Sequence, residues 1–294
     1  MDDNIVTWNE TMLKAFKNII LLLRPHQWLK NLLLLFPPFF AGRMHEKAVL
    51  EAATLSLLAF SLVASCGYII NDIKDRDSDR RHSSKKNRPI ARGHIPVSLA
   101  LVIAGMLYIG SMIVATFVPG KFQAYIVIYL LLSLTYTIYF KNIVIADIFI
   151  VSFGFLLRVL AGGEAFQVVV SSWLFLTVFI VALFLATGKR LGEIVSLGNV
   201  ASMQRKILAD YQPAYLEGVM WFCSAAAVVM YALYSIENRP NLIYTVPVVA
   251  FGLLRYIYIV RNGKGDPTEA LLRDNQIMAT GVVWFLMISI VIYK

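Results

Sequence analysis

The chain has 294 residues, of which 59% are hydrophobic and 15% charged, and its mean hydropathy is +0.68. Soluble domains average roughly 45–50% apolar and 25% charged residues, so this composition excludes an ordinary soluble domain and places the chain in a membrane. The formal net charge of +9 follows from membrane topology and calls for no nucleic acid.

Residues 1–18 carry Asp2, Asp3, Glu10, Lys14 and Lys17 and lack the apolar core of a cleavable signal. Trp8, Met12, Leu13 and Phe16 suit one face of a short amphipathic helix lying on the membrane surface. The transmembrane domain is then expected over 19–294. A helix crosses a bilayer with roughly 20 apolar residues. The first span, about 19–42, contains Arg24 and Lys30, and the second, 52–71, carries no charge. Runs without Lys, Arg, Asp or Glu follow at 93–120, 122–140, 165–188, 218–236 and 275–293. The stretch 143–163 spans if Asp147 and Arg158 are accepted inside it, and 240–254 extends past Arg255. The expectation is an all-α polytopic membrane protein of about nine helices. Cys66 and Cys223 lie within apolar spans and read as small core residues, not as a disulfide.

Orientation follows from the basic residues. With the N-terminus in the cytoplasm, twenty Lys and Arg fall on the inner side and five, Arg43, Lys47, Lys121, Arg239 and Lys294, on the outer. The two longest inner loops, about 74–96 and 189–212, follow the second and sixth spans, and each opens with charged residues on a helix end.

The first of these loops carries the chemistry. Asn71-Asp72-Ile73-Lys74-Asp75-Arg76-Asp77-Ser78-Asp79 holds four carboxylates in eight positions directly after an uncharged span. On a continuous helix Asp72, Asp75 and Asp79 are spaced i, i+3, i+7 and share one face. Oxygen-only donors suit magnesium, which binds through one or two carboxylates plus substrate phosphates. The expectation is a membrane enzyme that handles a phosphorylated substrate through a metal held by Asp72, Asp75 and Asp79, with Asn71 supporting them. The following cations divide into two groups. Arg76, Arg81 and Arg92 read as positive-inside residues, whereas at least one of Lys85, Lys86 and Arg88 is expected to touch phosphate, since clustered cations beside a metal site complete its charge balance.

Asn71-Asp72-x-x-Asp75-x-x-x-Asp79, followed by Lys85, Arg88-Pro89 and Gly93, resembles the first signature of the UbiA-type intramembrane prenyltransferases. That resemblance covers almost the whole chain and implies nine helices around a central cavity that opens to the cytoplasmic side, with diphosphate held by magnesium. The common members carry a second Asp-rich motif after the sixth helix. Here Thr187-Gly188-Lys189-Arg190-Leu191-Gly192-Glu193 stands in that place. Two cations and one acid, with Lys189 and Glu193 at i, i+4, argue against a second metal cluster and for a phosphate bound by side chains. The stretch looks like the branch of decaprenyl-phosphate phosphoribosyltransferases. Arg24-Pro25-His26-Gln27-Trp28-Leu29-Lys30-Asn31, Leu157-Arg158-Val159-Leu160-Ala161-Gly162-Gly163, Tyr211, Tyr215 and Leu272-Arg273-Asp274 add to that likeness.

The resemblance implies that phosphoribosyl diphosphate and a polyprenyl phosphate are the substrates, in a bacterial inner membrane, with homo-oligomerisation left open. Lys30, Asn31, Asn71, Lys85, Arg88, Lys189, Arg190, Glu193, Tyr211 and Tyr215 are the candidate substrate ligands. Tyr211 and Tyr215 suit substrate orientation and an interfacial aromatic belt equally. Arg24 suits snorkelling to the interface, while Lys30 and Asn31 lie deeper, where ionisable and polar groups are functional candidates. Asp147 and Arg158 are eleven residues apart, roughly 16 Å along a helix, and cannot pair. Arg158 is expected in the outer half of its helix, away from the metal face, where structural bonding to neighbouring helices, such as to Glu164, and a part in catalysis both stay open. The four histidines show no metal-ligand spacing. Two competing readings remain. An aromatic-acceptor prenyltransferase of quinone or haem pathways would want acid clusters at both loops, and a transporter would want polar groups near the midplane.

Overall fold

The computed structural model describes residues 14, 16–82, 85–198 and 206–294. Most of the surface segment expected at the N-terminus, including Trp8, Met12 and Leu13, lies outside the described residues. In a bilayer each backbone N–H and C=O must be satisfied within its own segment, and the described residues are accordingly helical, with no strand among them.

The first apolar segment, α1, is composite. It runs helically over 16–23, continues as a 3-10 helix over Pro25–Leu35 and ends in the short helix Phe36–Phe40. The break is at Arg24, which takes a left-handed backbone, φ 54°, because the ring of Pro25 disfavours the α conformation for the residue before it. There follow α2 (Lys47–Lys74), a short helix Arg76–Arg81, a turn at Lys85–Asn87, α3 (Val97–Ala115), α4 (Phe122–Ile138), α5 (Ala146–Ala165), α6 (Ser172–Leu197), α7 (Pro213–Asn238), α8 (Val246–Arg261) after a 3-10 turn at Pro240–Thr245, a short helix Pro267–Arg273, and α9 (Asn275–Tyr293).

Among the described residues seven stretches are long and apolar enough to cross a bilayer: α2, α3, α5, α6, α7, Pro240–Arg261 and α9. α4 is apolar but has 17 residues, and α1 is broken at Arg24. The expected nine spans therefore stand at seven by length and composition.

α2 packs on α3, α4 and α1, and α6 packs on α5, α7 and α8. One core forms where α6, α7 and α8 meet, around Phe184, Leu216, Met220 and Tyr256. Another joins α2, α4 and α5 through Phe60, Val63, Phe122 and Ala161. α3 and α9 bury little and present apolar residues such as Leu101, Met106, Phe285 and Ile290 outward, as lipid-facing helices do. Two close approaches need glycine. A Cβ on Gly162 would stand 2.0 Å from the Leu34 carbonyl oxygen, so the close approach of α5 to α1 at that point requires glycine. A Cβ on Gly192 would stand 2.3 Å from the Cα of Gly265, so the second glycine of the Gly-Lys-Arg-Leu-Gly stretch seats the α8–α9 connection against α6.

Candidate functional site

A cavity of about 610 Å³ is lined by residues of α1, α2, α4, α5, α6 and the turn after Lys85. Six cationic side chains, Arg24, Lys30, Lys85, Arg88, Arg158 and Lys189, line it, and no Asp or Glu does. Desolvation alone makes such a wall unfavourable, because buried cations need compensating charge. The wall is therefore complementary to a polyanion.

The carboxylates stand behind this wall. α2 ends at Asp75, whose φ of −92° and ψ of 2° interrupt the helix before Arg76–Arg81 begins. Asp72 thus sits on the last turn of one helix and Asp79 on the next, with the amide bonds Asp75 to Asn71 and Asp79 to Asp75 running across the break. Arg88 brings the two together. Its Nη1 donates to Asp72 Oδ1 at 2.9 Å and to Asp79 Oδ2 at 2.6 Å, and Arg24 Nη2 donates to Asp72 Oδ1 at 2.5 Å. Asp75 is drawn aside by Lys141 Nζ. Among the described residues no group of three His, Cys, Asp or Glu side chains is placed to hold a metal, which departs from the expected three-aspartate set. The Asp72–Asp79 pair nevertheless fits a hard cation. One cationic nitrogen already bridges both carboxylates, and magnesium needs only one or two of them when substrate phosphates complete its coordination. Asn71 faces the cavity and accepts from Thr137 Oγ1 at 3.3 Å.

Of the other expected ligands, Lys30, Lys85 and Lys189 reach the cavity. Lys30 Nζ donates to Gln27 Oε1 at 2.5 Å, and Lys189 Nζ to Asp266 Oδ2 at 2.8 Å. Asn31 is fully buried. It donates to Ser61 Oγ at 3.0 Å and accepts from Arg158 Nε at 2.9 Å, so it stands one residue behind the wall.

Arg190, Glu193 and Tyr211 do not line the cavity. Arg190 Nε donates to Asp147 Oδ2 at 2.7 Å and its Nη1 to Glu193 Oε2 at 3.0 Å. The Tyr211 hydroxyl donates to Asp147 Oδ1 at 2.6 Å and accepts from the Ile145 amide at 2.7 Å. Burial, reinforced by the Asp147 carboxylate, raises the Tyr211 hydroxyl above the usual tyrosine range. This network ties α5, α6 and the approach to α7 together. Tyr215 is exposed on the first turn of α7, away from the cavity.

Arg24 stands elsewhere than sequence reasoning placed it, and Arg158 bonds neighbouring helices as expected but through partners other than Glu164. Arg24 faces the cavity and Asp72 instead of the interface, because its left-handed backbone redirects the side chain. Arg158 faces inward too, bonded to Asn31, the Gly154 carbonyl and the Tyr129 hydroxyl, while Glu164 accepts from the Lys121 amide. Counting along a helix gives depth but not facing, so no sequence signal separated Arg158 from a structural residue. The exclusion of an Asp147–Arg158 pair holds, since Asp147 is taken by Arg190.

The model of the UbiA prenyltransferase family matches residues 34–280. A decaprenyl-phosphate phosphoribosyltransferase of Mycolicibacterium smegmatis is 33% identical, over 94% of this chain and 92% of its own. One of Corynebacterium glutamicum is 35% identical, over 92% and 85%. Among solved structures, a UbiA homologue from Archaeoglobus fulgidus bound to GPP and Mg2+ superposes with a TM-score of 0.75 at 20% identity, covering 94% of this chain and 99% of that one. On these matches the chain belongs to the UbiA prenyltransferase family.

Proposed function

We propose that the protein transfers the 5-phosphoribosyl group of phosphoribosyl diphosphate to a polyprenyl phosphate and releases diphosphate, an early step towards arabinose donors of a bacterial envelope. The observation that carries this reading is the cavity wall of six cations with no carboxylate, beside a single aspartate pair. A donor with phosphate at both ends and an acceptor with another phosphate need such a wall. The full-length likeness to decaprenyl-phosphate phosphoribosyltransferases supports it.

Asp72 and Asp79, with Asp75 on the same segment and Asn71 beside them, are the residues that would hold magnesium. When bound there, magnesium supplies charge neutralisation for the leaving diphosphate. Arg88, Arg24 and Lys85 flank that end and complete its charge balance, Arg88 and Arg24 with planar guanidinium donors matched to phosphate oxygens. Lys30 and Lys189 meet the remaining phosphates. An oxygen of the polyprenyl phosphate attacks the anomeric carbon, the bond to the diphosphate oxygen breaks, and both electrons of that bond leave with diphosphate. The acceptor is already anionic at neutral pH, so the chain need supply no strong base. Its residues act by positioning and by electrostatic stabilisation. The motif end of the bundle faces the cytoplasm of an inner membrane in this reading, as the distribution of basic residues indicates.

The experiment is incubation of purified protein with labelled phosphoribosyl diphosphate and polyprenyl phosphates of several chain lengths, beside a parallel incubation with an isoprenoid diphosphate and 4-hydroxybenzoate. Lipid-linked ribose phosphate is expected and prenylated hydroxybenzoate is not. The reverse outcome returns the protein to the aromatic-acceptor class. In the same assay Lys189→Ala is expected to raise the KM for phosphoribosyl diphosphate about ten- to a hundredfold, the worth of one charge-assisted contact, with the KM for the lipid little changed. Its partner Asp266 is 36% exposed, so that carboxylate can be hydrated and the variant is expected to fold. An unaltered KM would return Lys189 to a surface ion pair.

A further inference from the structure

Arg24, Arg88 and Lys189 each reach a carboxylate. Arg158 and Lys30 bond only neutral groups among the described residues, although both line the cavity. Arg158 is 4% exposed, and a guanidinium held that deep without an acid is costly unless an anion joins it. It is also immobile. Nε, Nη1 and Nη2 are fixed by Asn31 Oδ1 at 2.9 Å, the Gly154 carbonyl at 2.6 Å and the Tyr129 hydroxyl at 2.9 Å. Its carbon lies 4.7 Å from the Tyr129 ring centre and 5.8 Å from that of Phe155. Lys30 Nζ lies 6.0 Å from the same Phe155 ring, so both cations lie close to one aromatic side chain of the cavity. A guanidinium has five N–H donors, and three bonds leave donors for a ligand in the cavity. Two positive charges match the two negative charges of a phosphomonoester.

We propose that Lys30 and Arg158 form a phosphomonoester socket, separate from the end of the cavity at Asp72 and Asp79. Lys30 is six residues beyond Arg24 on a 3-10 helix, about 12 Å along the axis at roughly 2 Å per residue. A pentose phosphorylated at both ends can therefore place its diphosphate at the aspartates and its other phosphate here. The bound group is identified through the transfer reaction proposed above, whose two substrates each carry a phosphomonoester, the sugar at C5 and the lipid at its head. Asn31 is then a positioning residue that aims the guanidinium.

Binding is measured without turnover, on the full chain in detergent, by thermal shift. The probes are ribose 5-phosphate against ribose, and farnesyl phosphate against farnesol. At least one phosphate-dependent stabilisation is expected in the unaltered protein. It should weaken about tenfold or more in Arg158→Gln and in Lys30→Gln, the latter carrying the test if the former does not fold, because Lys30 is half-buried and bonds only Gln27. Loss of the ribose 5-phosphate effect assigns the socket to the sugar, and loss of the farnesyl phosphate effect assigns it to the acceptor. Arg158→Lys keeps the charge and should recover part of the affinity, which a purely structural role would not link to phosphate. Phosphate-dependent binding that is absent, or equal in all variants, overturns the socket. If phosphate-dependent binding is lost in the variants but no lipid-linked ribose phosphate forms with the unaltered protein, the socket stands and the transfer reaction is wrong.

Discussion

Arg190→Ala is expected to destabilise the protein by about 3–5 kcal/mol, the cost of removing one partner from a buried ion pair. Asp147, with 0% side-chain exposure, would lose the guanidinium at 2.7 Å, its bond from the Tyr211 hydroxyl remaining, and Glu193 would lose the same guanidinium. The measurement is the melting temperature in detergent. Replacing both charges, as Arg190→Met with Asp147→Leu, should recover most of the loss, because a well-packed apolar pair can substitute for a buried ionic one. If Arg190→Ala melts like the unaltered protein but raises the KM for phosphoribosyl diphosphate, then Arg190 is the substrate ligand that its place in the Gly-Lys-Arg stretch suggested.

Asp72→Asn is expected to lower turnover about a hundred- to a thousandfold, the scale on which removal of one preorganised electrostatic group acts. Asn keeps the volume and one acceptor for Arg24 and Arg88 but removes the charge that both arginines share. The magnesium concentration for half-maximal activity should rise with it. Asp77→Asn is the control, because Asp77 is exposed and pairs only with Arg76 and Arg80 on the same short helix; its turnover should be unaltered. Undiminished activity of Asp72→Asn, or activity that persists in excess chelator, would remove the aspartate pair from the metal assignment.

Much of the architecture was legible in one dimension. Apolar runs of roughly 20 residues match membrane helices and exceed the roughly 9–11 residues of a barrel strand, and the dense aspartates after the second span pointed to a polyanion chemistry. The Gly-Lys-Arg-x-x-Glu stretch separated this chain from relatives with two acidic motifs. The assignment within that stretch was less accurate. Lys189 reaches the cavity, while Arg190, its neighbour, is turned into a structural network with Asp147 and Tyr211. Adjacent residues on a helix point about 100° apart, so one can line a cavity and the other cannot, and only the neighbouring helices decide which. Asp75 is engaged by Lys141 Nζ, 66 positions away, a pairing that spacing along its own helix cannot reveal.

The sequence by itself determined what depends on composition and local chemistry: an α-helical membrane chain and a carboxylate cluster at a helix end. The tertiary structure decided which charges meet. Arg88 joins Asp72 to Asp79 from a separate turn, Arg24 reaches Asp72 from 48 positions away, and Arg158 bonds Asn31 across 127 positions. Such pairings rest on helix ends, on the left-handed turn at Arg24 and on the approach of α5 to α1 at Gly162. These are long-range packing outcomes, and a residue's spacing along its own helix carries no information about what packs against it.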